Sequence, residues 1–281
     1  MDINTEVCSH DHLPIGLELY HRPNIRMVDI FSQGRVLLAG DSCHVISFTG
    51  GQGMNTGIQD AFNLGWKVAL VEHAHSPFSL IKTYQEERLP IAADMLEQTT
   101  TLLRQEFAGQ RNGAFSQLEV NYRWSSIVVD EQQAAGADMG VYPDEPDLRE
   151  MDLRAGDRAP DALGLINIES SSSTRLFDVF GVSYHTVLIF SANPALCTAV
   201  HRAIAKYPVG VIRTALICLG KPPPVNAGIV GFVLEDSYGH AYDAYPSDRC
   251  ALTVVRPDGM IGAIVQAVDG LTRYFDRVFR V

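Results

Sequence analysis

Asp41 and His44 are the residues of this chain best placed for acid–base chemistry, because both lie in its one dense motif, GRVLLAGDSCHVISFTGGQGMNTGIQDAFNLGWKVALV, from Gly34 to Val71. A carboxylate and an imidazole can hold or move a proton near neutral pH. Tyr122, Asp60 and His12 stand behind them as further proton-transfer candidates. Each has a plain structural alternative: Asp41 as a cap for the loop that follows, His44 as a hydrogen-bonded buried imidazole. Between Thr49 and Gly57 four glycines and Asn55 let the backbone turn tightly and approach a ligand. The free N–H groups of the helix that this loop opens favour an electron-rich or anionic group. A second cluster, Ser9-His10-Asp11-His12, has the residue types of an acid–base group or a metal half-site, and its place near a terminus reads as a flexible segment. The five cysteines, Cys8, Cys43, Cys197, Cys218 and Cys250, show neither CxxC nor Cys/His ligand spacing. No metal site or disulfide framework is expected from them, and each reads as a small core residue, with Cys43 set apart by the motif around it.

The elements that must position these residues follow from apolar periodicity. Arg35 to Ala39 reads as a buried strand delivering Asp41 to a crevice, and Ile58, Ala61, Phe62, Gly65, Val68 and Ala69 recur at helical spacing after the loop. The strand is apolar on both faces, which calls for covering layers on each side. The N-terminal segment, a second copy of the chain or a separate polypeptide could supply the cover, and a homo-oligomer is expected. Residues 72–77 break the first helix. A second runs from Phe78 through Arg88 toward Pro90, and Ile91 to Phe107 continues helical spacing. Residues 134–153 shift to glycine, proline and acids and read as a linker between a first domain, 1–133, and a second, 154–281. In the second, Ser170 to Thr174 is a polar turn, Thr186 to Ser191 a strand, Leu196 to Lys206 a helix and Val211 to Leu219 a strand, an order of βαβ type. Ala251 to Arg256 and Met260 to Val265 form a hairpin across Pro257-Asp258-Gly259, and Leu271 to Phe279 a closing helix. The fold class is α/β.

With 281 residues, 46% of them apolar, the chain can bury two ordinary cores, and its net charge of −11 argues against nucleic acid or an anionic membrane surface as partner. No apolar run is long enough to span a bilayer, and the acidic, polar start is unlike a signal peptide. A soluble cytoplasmic protein is expected.

The motif closely resembles the C-terminal FAD-contacting motif of flavin-dependent aromatic hydroxylases, in particular the phenol hydroxylase branch. Gly40-Asp41, His44, Gly50 to Asn55 and Gln59-Asp60-Ala61 all fall in register. The resemblance implies that Asp41 holds the ribityl chain, that backbone around Gly53, Met54 and Asn55 faces the pyrimidine side of the isoalloxazine ring, and that Gly40, Gly51 and Gln52 belong to the same cofactor cradle. Ile46 and Phe48 depart from the pattern, standing where relatives carry a polar or His residue and a proline. Thr83-Tyr84-Gln85-Glu86-Glu87-Arg88-Leu89-Pro90 and Asn121 to Ser126 also resemble this branch, the first with a structural role and an Arg88 salt bridge. From Arg154-Ala155-Gly156-Asp157-Arg158-Ala159-Pro160 onward the chain is similar to the branch's thioredoxin-like C-terminal domain. Ser191-Ala192-Asn193-Pro194 stands where a cysteine pair would be, so that domain is expected to be redox-silent. The GxGxxG unit with which such enzymes grip the ADP part of FAD is not found, so the whole reads as a truncated FAD-monooxygenase-like domain followed by a thioredoxin-like one.

Three functions follow. The first is a repurposed protein of specialised metabolism that binds a phenolic or polyketide-like molecule and, holding no cofactor by itself, carries out an isomerisation, cyclisation or cycloaddition through orientation and the acid–base groups His44, Asp41 and Tyr122. The second retains the family chemistry, FAD with NADPH, with the other half supplied by a partner chain. The third is a non-catalytic scaffold pairing with a full-length flavoprotein homologue.

Overall fold

In a computed structural model describing residues 25–46, 51–107, 117–132, 153–191, 193–220, 230–248 and 250–280, the chain divides into two compact units. One comprises Met1–Ala61 and Leu89–Phe115, the other Phe62–Arg88 and Ser116–Val281. Cys8, the His10–His12 cluster, Phe48 and nearly all of the expected linker lie outside the described residues.

The first unit is built from short strands. β1 (Arg26–Met27) pairs antiparallel with β4 (His44–Val45), and β2 (Ser32–Gln33) with β3 (Val36–Leu37). Helix α1 (Gly53–Glu72) starts here, and helix α2 (Ser79–Phe107) ends here. The buried strand expected at Arg35–Ala39 is reduced to the two residues of β3, and Val36 is 65% exposed. Among the described residues this ribbon is a two-stranded hairpin across a tight turn at Gly34-Arg35, so apolar composition alone overestimated its burial.

In the second unit the strands are β5 (Val129–Asp130), β6 (Leu165–Asn167), β7 (Ser172–Thr174), β8 (His185–Phe190), β9 (Ile212–Leu219), β10 (Phe232–Asp236), β11 (Leu252–Val255) and β12 (Ile261–Val265). They form one sheet in the order β5-β12-β11-β8-β9-β10-β6-β7. The helices are α3 (Leu176–Val179), α4 (Pro194–Ile204), α5 (His240–Ala244) and α6 (Val268–Val278). Strand alternation divides the core. Val187, Ile189, Leu216 and Val254 face one layer with Cys197 and Val200 of α4, Leu271, Phe275 and Val278 of α6, and Trp66, Leu70 and Leu80. Leu188, Phe190, Ala215, Ile217 and Ile264 face the other, under Leu176 and Ala241. Burial on both faces is what the parallel β8–α4–β9 unit requires, and all six residues of β8 are buried. Asn193 caps α4 by accepting from Ala195 N at 2.9 Å, with Pro194 at its first turn. The polar turn expected at Ser170–Thr174 is partly strand, because Leu165–Asn167 pairs with Ser172–Thr174.

Pro90 sits inside α2 rather than ending a helix. Its missing N–H leaves the Glu86 carbonyl without a helical donor. The Trp124 indole fills that role, donating Nε1–H to Glu86 O at 2.9 Å, while Ser126 N and Oγ donate to the Glu86 carboxylate at 2.7 Å each. Trp124→Phe should therefore cost about 1 kcal/mol in urea unfolding, the net worth of one hydrogen bond at a half-buried carbonyl.

His185 is fully buried against Trp66, Tyr274, Phe275 and Phe279, and neither ring nitrogen has a hydrogen-bond partner among the described residues. Burial, aided by the charge of Arg256, pushes its pKa down to about 3. The unfolded chain then takes up this proton first, so His185 contributes a loss of stability as pH falls from about 6.5 toward about 3. His185→Phe should flatten that stretch of the stability–pH curve measured by urea titration.

Candidate functional site

In the first unit the Gly40–Ser42 turn and the start of α1 are held by one carboxylate. Asp60, fully buried on α1, accepts from His44 Nε2 at 2.6 Å and from Gly40 N at 3.0 Å, both through Oδ2. His44 is 1% exposed beside the Phe31 ring, and its Nδ1 has no hydrogen-bond partner among the described residues. Cys43 closes the turn, with N and Sγ both donating to Gly40 O at 3.0 and 3.2 Å. A Cβ added at Gly57 would lie 3.3 Å from the Gly40 Cα, so glycine lets the turn and the helix approach closely. Asp41 is exposed on this turn, whereas His44 is buried beneath it.

The remaining cradle candidates surround the beginning of α1. Gly51 takes φ +66° and is exposed, Gln52 is buried, and Gln52 O accepts from Thr56 N at 3.0 Å and Thr56 Oγ1 at 2.9 Å. Gly53, Met54 and Asn55 form the first turn, with Met54 75% exposed. Met54 and Ile58 follow one another along one helix face, both exposed, and offer an apolar surface. Cys43, His44 and Asp60 bring one possible ligand atom each within 4.8 Å, a grouping that sequence spacing did not announce. Asp60 Oδ2 is already committed to hydrogen bonds with His44 and Gly40, and the cluster reads as a hydrogen-bonded dyad closed by a thiol.

Tyr122 belongs to the second unit. Its phenol accepts from Arg88 Nη1 at 3.1 Å, and burial raises its pKa against the opposing pull of Arg88, which keeps it protonated. It borders a buried ionic network that sequence reasoning missed. Glu87 accepts from Arg256 Nη1 and Nη2 at 2.8 and 2.9 Å, from Lys67 Nζ at 2.7 Å, and from Asn63 Nδ2 and Ser125 Oγ at 2.6 Å each. Asp258 in the β11–β12 hairpin accepts from Arg256 Nε at 3.0 Å and from Trp66 Nε1 at 3.1 Å. The Arg256 guanidinium lies 5.2 Å from the Trp66 ring and 5.4 Å from that of Tyr122. Burial alone would raise the Glu87 pKa, but Arg256 and then Lys67 outweigh it and hold the carboxyl well below its usual range. Burial lowers the Lys67 pKa to about 8 despite Glu87. One signal was available: Asn63 and Lys67 are polar residues one helical turn apart within an apolar stripe, and both prove buried. The other cation on Glu87, Arg256, lies 169 residues from it, beyond any local pattern.

The turn, the glycine loop and the helix start define a segment of an FAD-binding fold, and residues 20–99 match the family described as FAD binding domain. The chain is a relative of flavin-dependent monooxygenases. It is 35% identical over 260 residues to a flavin-dependent monooxygenase of Mycobacteroides abscessus, covering 92% of this chain and 43% of that protein. It is 31% identical over 264 residues to pentachlorophenol 4-monooxygenase of Sphingobium chlorophenolicum, covering 88% and 47%. Among solved structures, the rebeccamycin biosynthetic enzyme RebC with reduced flavin superposes with a TM-score of 0.62 at 27% identity, covering 90% of this chain and 47% of that one. The chain thus spans less than half the length of these relatives. Among the described residues no helix is long and apolar enough to cross a membrane.

The ionic network gives a direct test of what holds the second unit. Glu87→Gln leaves Arg256 and Lys67 buried without their shared counter-charge, and should cost about 3–5 kcal/mol in urea unfolding. Because the folded pKa of Glu87 lies below its unfolded value, its contribution is fully present above about pH 4.3 and is lost as pH falls from there. The acid limb of the stability–pH curve should be shallower in the variant than in the wild type.

Proposed function

We propose that the chain supplies the isoalloxazine-facing part of an FAD-dependent monooxygenase that hydroxylates a phenolic or polyketide-like aromatic compound, with NADPH as reductant. The observation that carries this reading is the shared anchoring of the Gly40–Asp41 turn and the glycine-rich start of α1 within the segment that matches the FAD binding domain. The residues fit the cofactor. Asp41 offers an exposed carboxylate to the ribityl hydroxyls, the first N–H groups of α1 at Gly53 to Asn55 suit the electron-rich pyrimidine edge, and Met54 and Ile58 offer an apolar surface to a flat ring. Bound FAD would supply the redox chemistry, taking electrons from NADPH and passing them to oxygen. This chain's own contribution is to bind and orient the ring and to stabilise negative charge at its pyrimidine side through the helix dipole. The relatives include enzymes named for chlorophenol and antibiotic substrates, which supports an aromatic substrate from specialised metabolism.

Contacts to the rest of FAD would come from residues beyond those described or from a partner, a flavoprotein homologue or a second copy of the chain. The strand order β9-β8-β11-β12, with β8 and β9 parallel and β11 antiparallel to both neighbours, supports reading the sheet as thioredoxin-like and as a pairing surface. The absence of a cysteine pair at the start of α4 fits a packing role: burial raises the pKa of Cys197 there and lifts that of Cys218 to about 11, which disfavours thiolate chemistry.

Titration of the purified chain with FAD, followed by flavin fluorescence, should show saturable binding, weakened roughly tenfold or more in Asp41→Ala by loss of charged hydrogen bonds. NADPH oxidation should then depend on a phenolic acceptor. Turnover of an aromatic compound by the colourless chain without NADPH would replace this reading with cofactor-free isomerisation or cyclisation, and stable co-purification with a flavoprotein, without either activity, would replace it with a scaffold role.

A further inference from the structure

Asp60 is fully buried in the first unit. One oxygen, Oδ2, takes both the His44 imidazole at 2.6 Å and the Gly40 amide at 3.0 Å. Hydrogen bonds to a carboxylate are shorter and stronger than neutral ones, and a fully buried carboxylate is tolerated only where such bonds hold it. Its partners are thereby tied to α1, the element that carries Gly53, Met54 and Asn55. His44 is fixed in turn, since β4 pairs it with Met27 and Phe31 lies against its ring. When Nε2 donates to Asp60, Nδ1 is left as a bare lone pair, a smaller penalty in a buried site than an unpaired N–H. The turn between these anchors closes on itself through Ser42 Oγ, which accepts from Ala39 N at 3.1 Å and donates to Ala39 O at 2.8 Å. With both of its flanks fixed, Gly40 by the carboxylate and His44 by the same atom, the turn leaves Asp41 pointing outward as its exposed acid.

We infer that Asp60 is a positioning residue: through Gly40 N–H and His44 it sets the Gly40–Asp41 turn at the height and angle relative to the α1 N-terminus that a flavin ribityl chain and ring require together. The inference rests on the FAD reading above and adds to it a residue that touches no cofactor atom. A merely space-filling Asp60 would matter to stability alone. As a positioning residue it controls cofactor affinity in proportion to the order of the turn, and an amide oxygen in its place retains part of the function because it still accepts from Gly40.

The test compares the wild-type chain with Asp60→Ala and Asp60→Asn. Hydrogen–deuterium exchange, read on peptides spanning residues 38–46 without FAD, reports the turn directly. Exchange at these amides should rise on the order of tenfold or more in Asp60→Ala, the effect of losing one charged hydrogen bond, and should be largely restored in Asp60→Asn. Peptides of the β11–β12 hairpin, unchanged in both variants, show that the chain remains folded. FAD affinity by fluorescence titration should fall by a similar factor in Asp60→Ala and recover in the same rank order. Unchanged exchange at residues 38–46 in Asp60→Ala overturns the anchor. Raised exchange with wild-type FAD affinity overturns the positioning role. A wild-type chain that binds no FAD overturns the flavin reading and with it the purpose assigned to the turn, while exchange still decides whether Asp60 anchors it. Should Asp60→Ala fail to fold, Asp60→Asn carries the comparison: equal affinity with altered exchange, or the reverse, overturns the coupling.

Discussion

The buried carboxylate of Glu87 is the constraint on which the larger unit depends. It receives five donors from three separate stretches of chain: Asn63 and Lys67 of α1, Ser125 of the turn beyond α2, and both terminal nitrogens of Arg256 in the hairpin. An isolated charge at that depth would be untenable, and so would either cation without it. The interaction therefore acts as an all-or-none fastening. The helix segment Phe62–Arg88, the turn at Tyr122–Ser126 and the Arg256–Asp258 hairpin must be in place together, because the removal of any one leaves a buried charge exposed to a low-dielectric interior.

A second carboxylate plays the corresponding part in the smaller unit with a different consequence. Asp60 takes only two of its partners from outside its own helix among the bonds described, a backbone amide and an imidazole, and both belong to the turn that carries Asp41. Glu87 joins elements whose job is packing; Asp60 joins a helix start to an acid that faces outward. This difference separates architecture from function on physical grounds. Groups sunk in the Glu87 network, Tyr122 among them, have every reason to be hydrogen-bonded structural members, while Asp41, Met54 and Asn55 remain exposed where a ligand can reach them.

Much of this was legible in the sequence where the signal is local. The helix after the glycine loop, the βαβ unit and the hairpin across Pro257-Asp258-Gly259 all follow from periodicity and turn chemistry; the βαβ unit and the hairpin appear within one or two residues of the expected limits, while α1 begins at Gly53, inside the stretch read as loop. Expectation failed where the deciding partner is distant or absent. Val36 reads as core from its neighbours and lies exposed on a ribbon that, among the described residues, is two-stranded. Pro90 reads as a helix end, yet the helix continues because Trp124, far along the chain, satisfies the freed carbonyl. Asp41, His44 and Asp60 read as acid–base candidates with no pairing among them legible; the structure joins His44 to Asp60 and leaves Asp41 exposed. The strands β6 and β10 and the short helix α5 carry too few periodic residues to be recognised alone: β10 takes its register from β9 and β6 from β10, while Asp236 accepts from Ala241 N and Tyr242 N of α5. The family resemblance reached further than periodicity, to the FAD binding domain that residues 20–99 match, because there the signal is a run of residue types rather than a pattern of burial.

The measurement that bears most directly on the role of this cradle is a crystal structure of the chain grown with FAD. The flavin is expected with its pyrimidine edge against the backbone of Gly53 to Asn55 and its ribityl hydroxyls on the Asp41 carboxylate, with the Asp60–His44 pair unchanged beneath. A flavin bound elsewhere on the molecule, or bound here with Asp41 turned away and the α1 N-terminus facing solvent, would contradict the assignment.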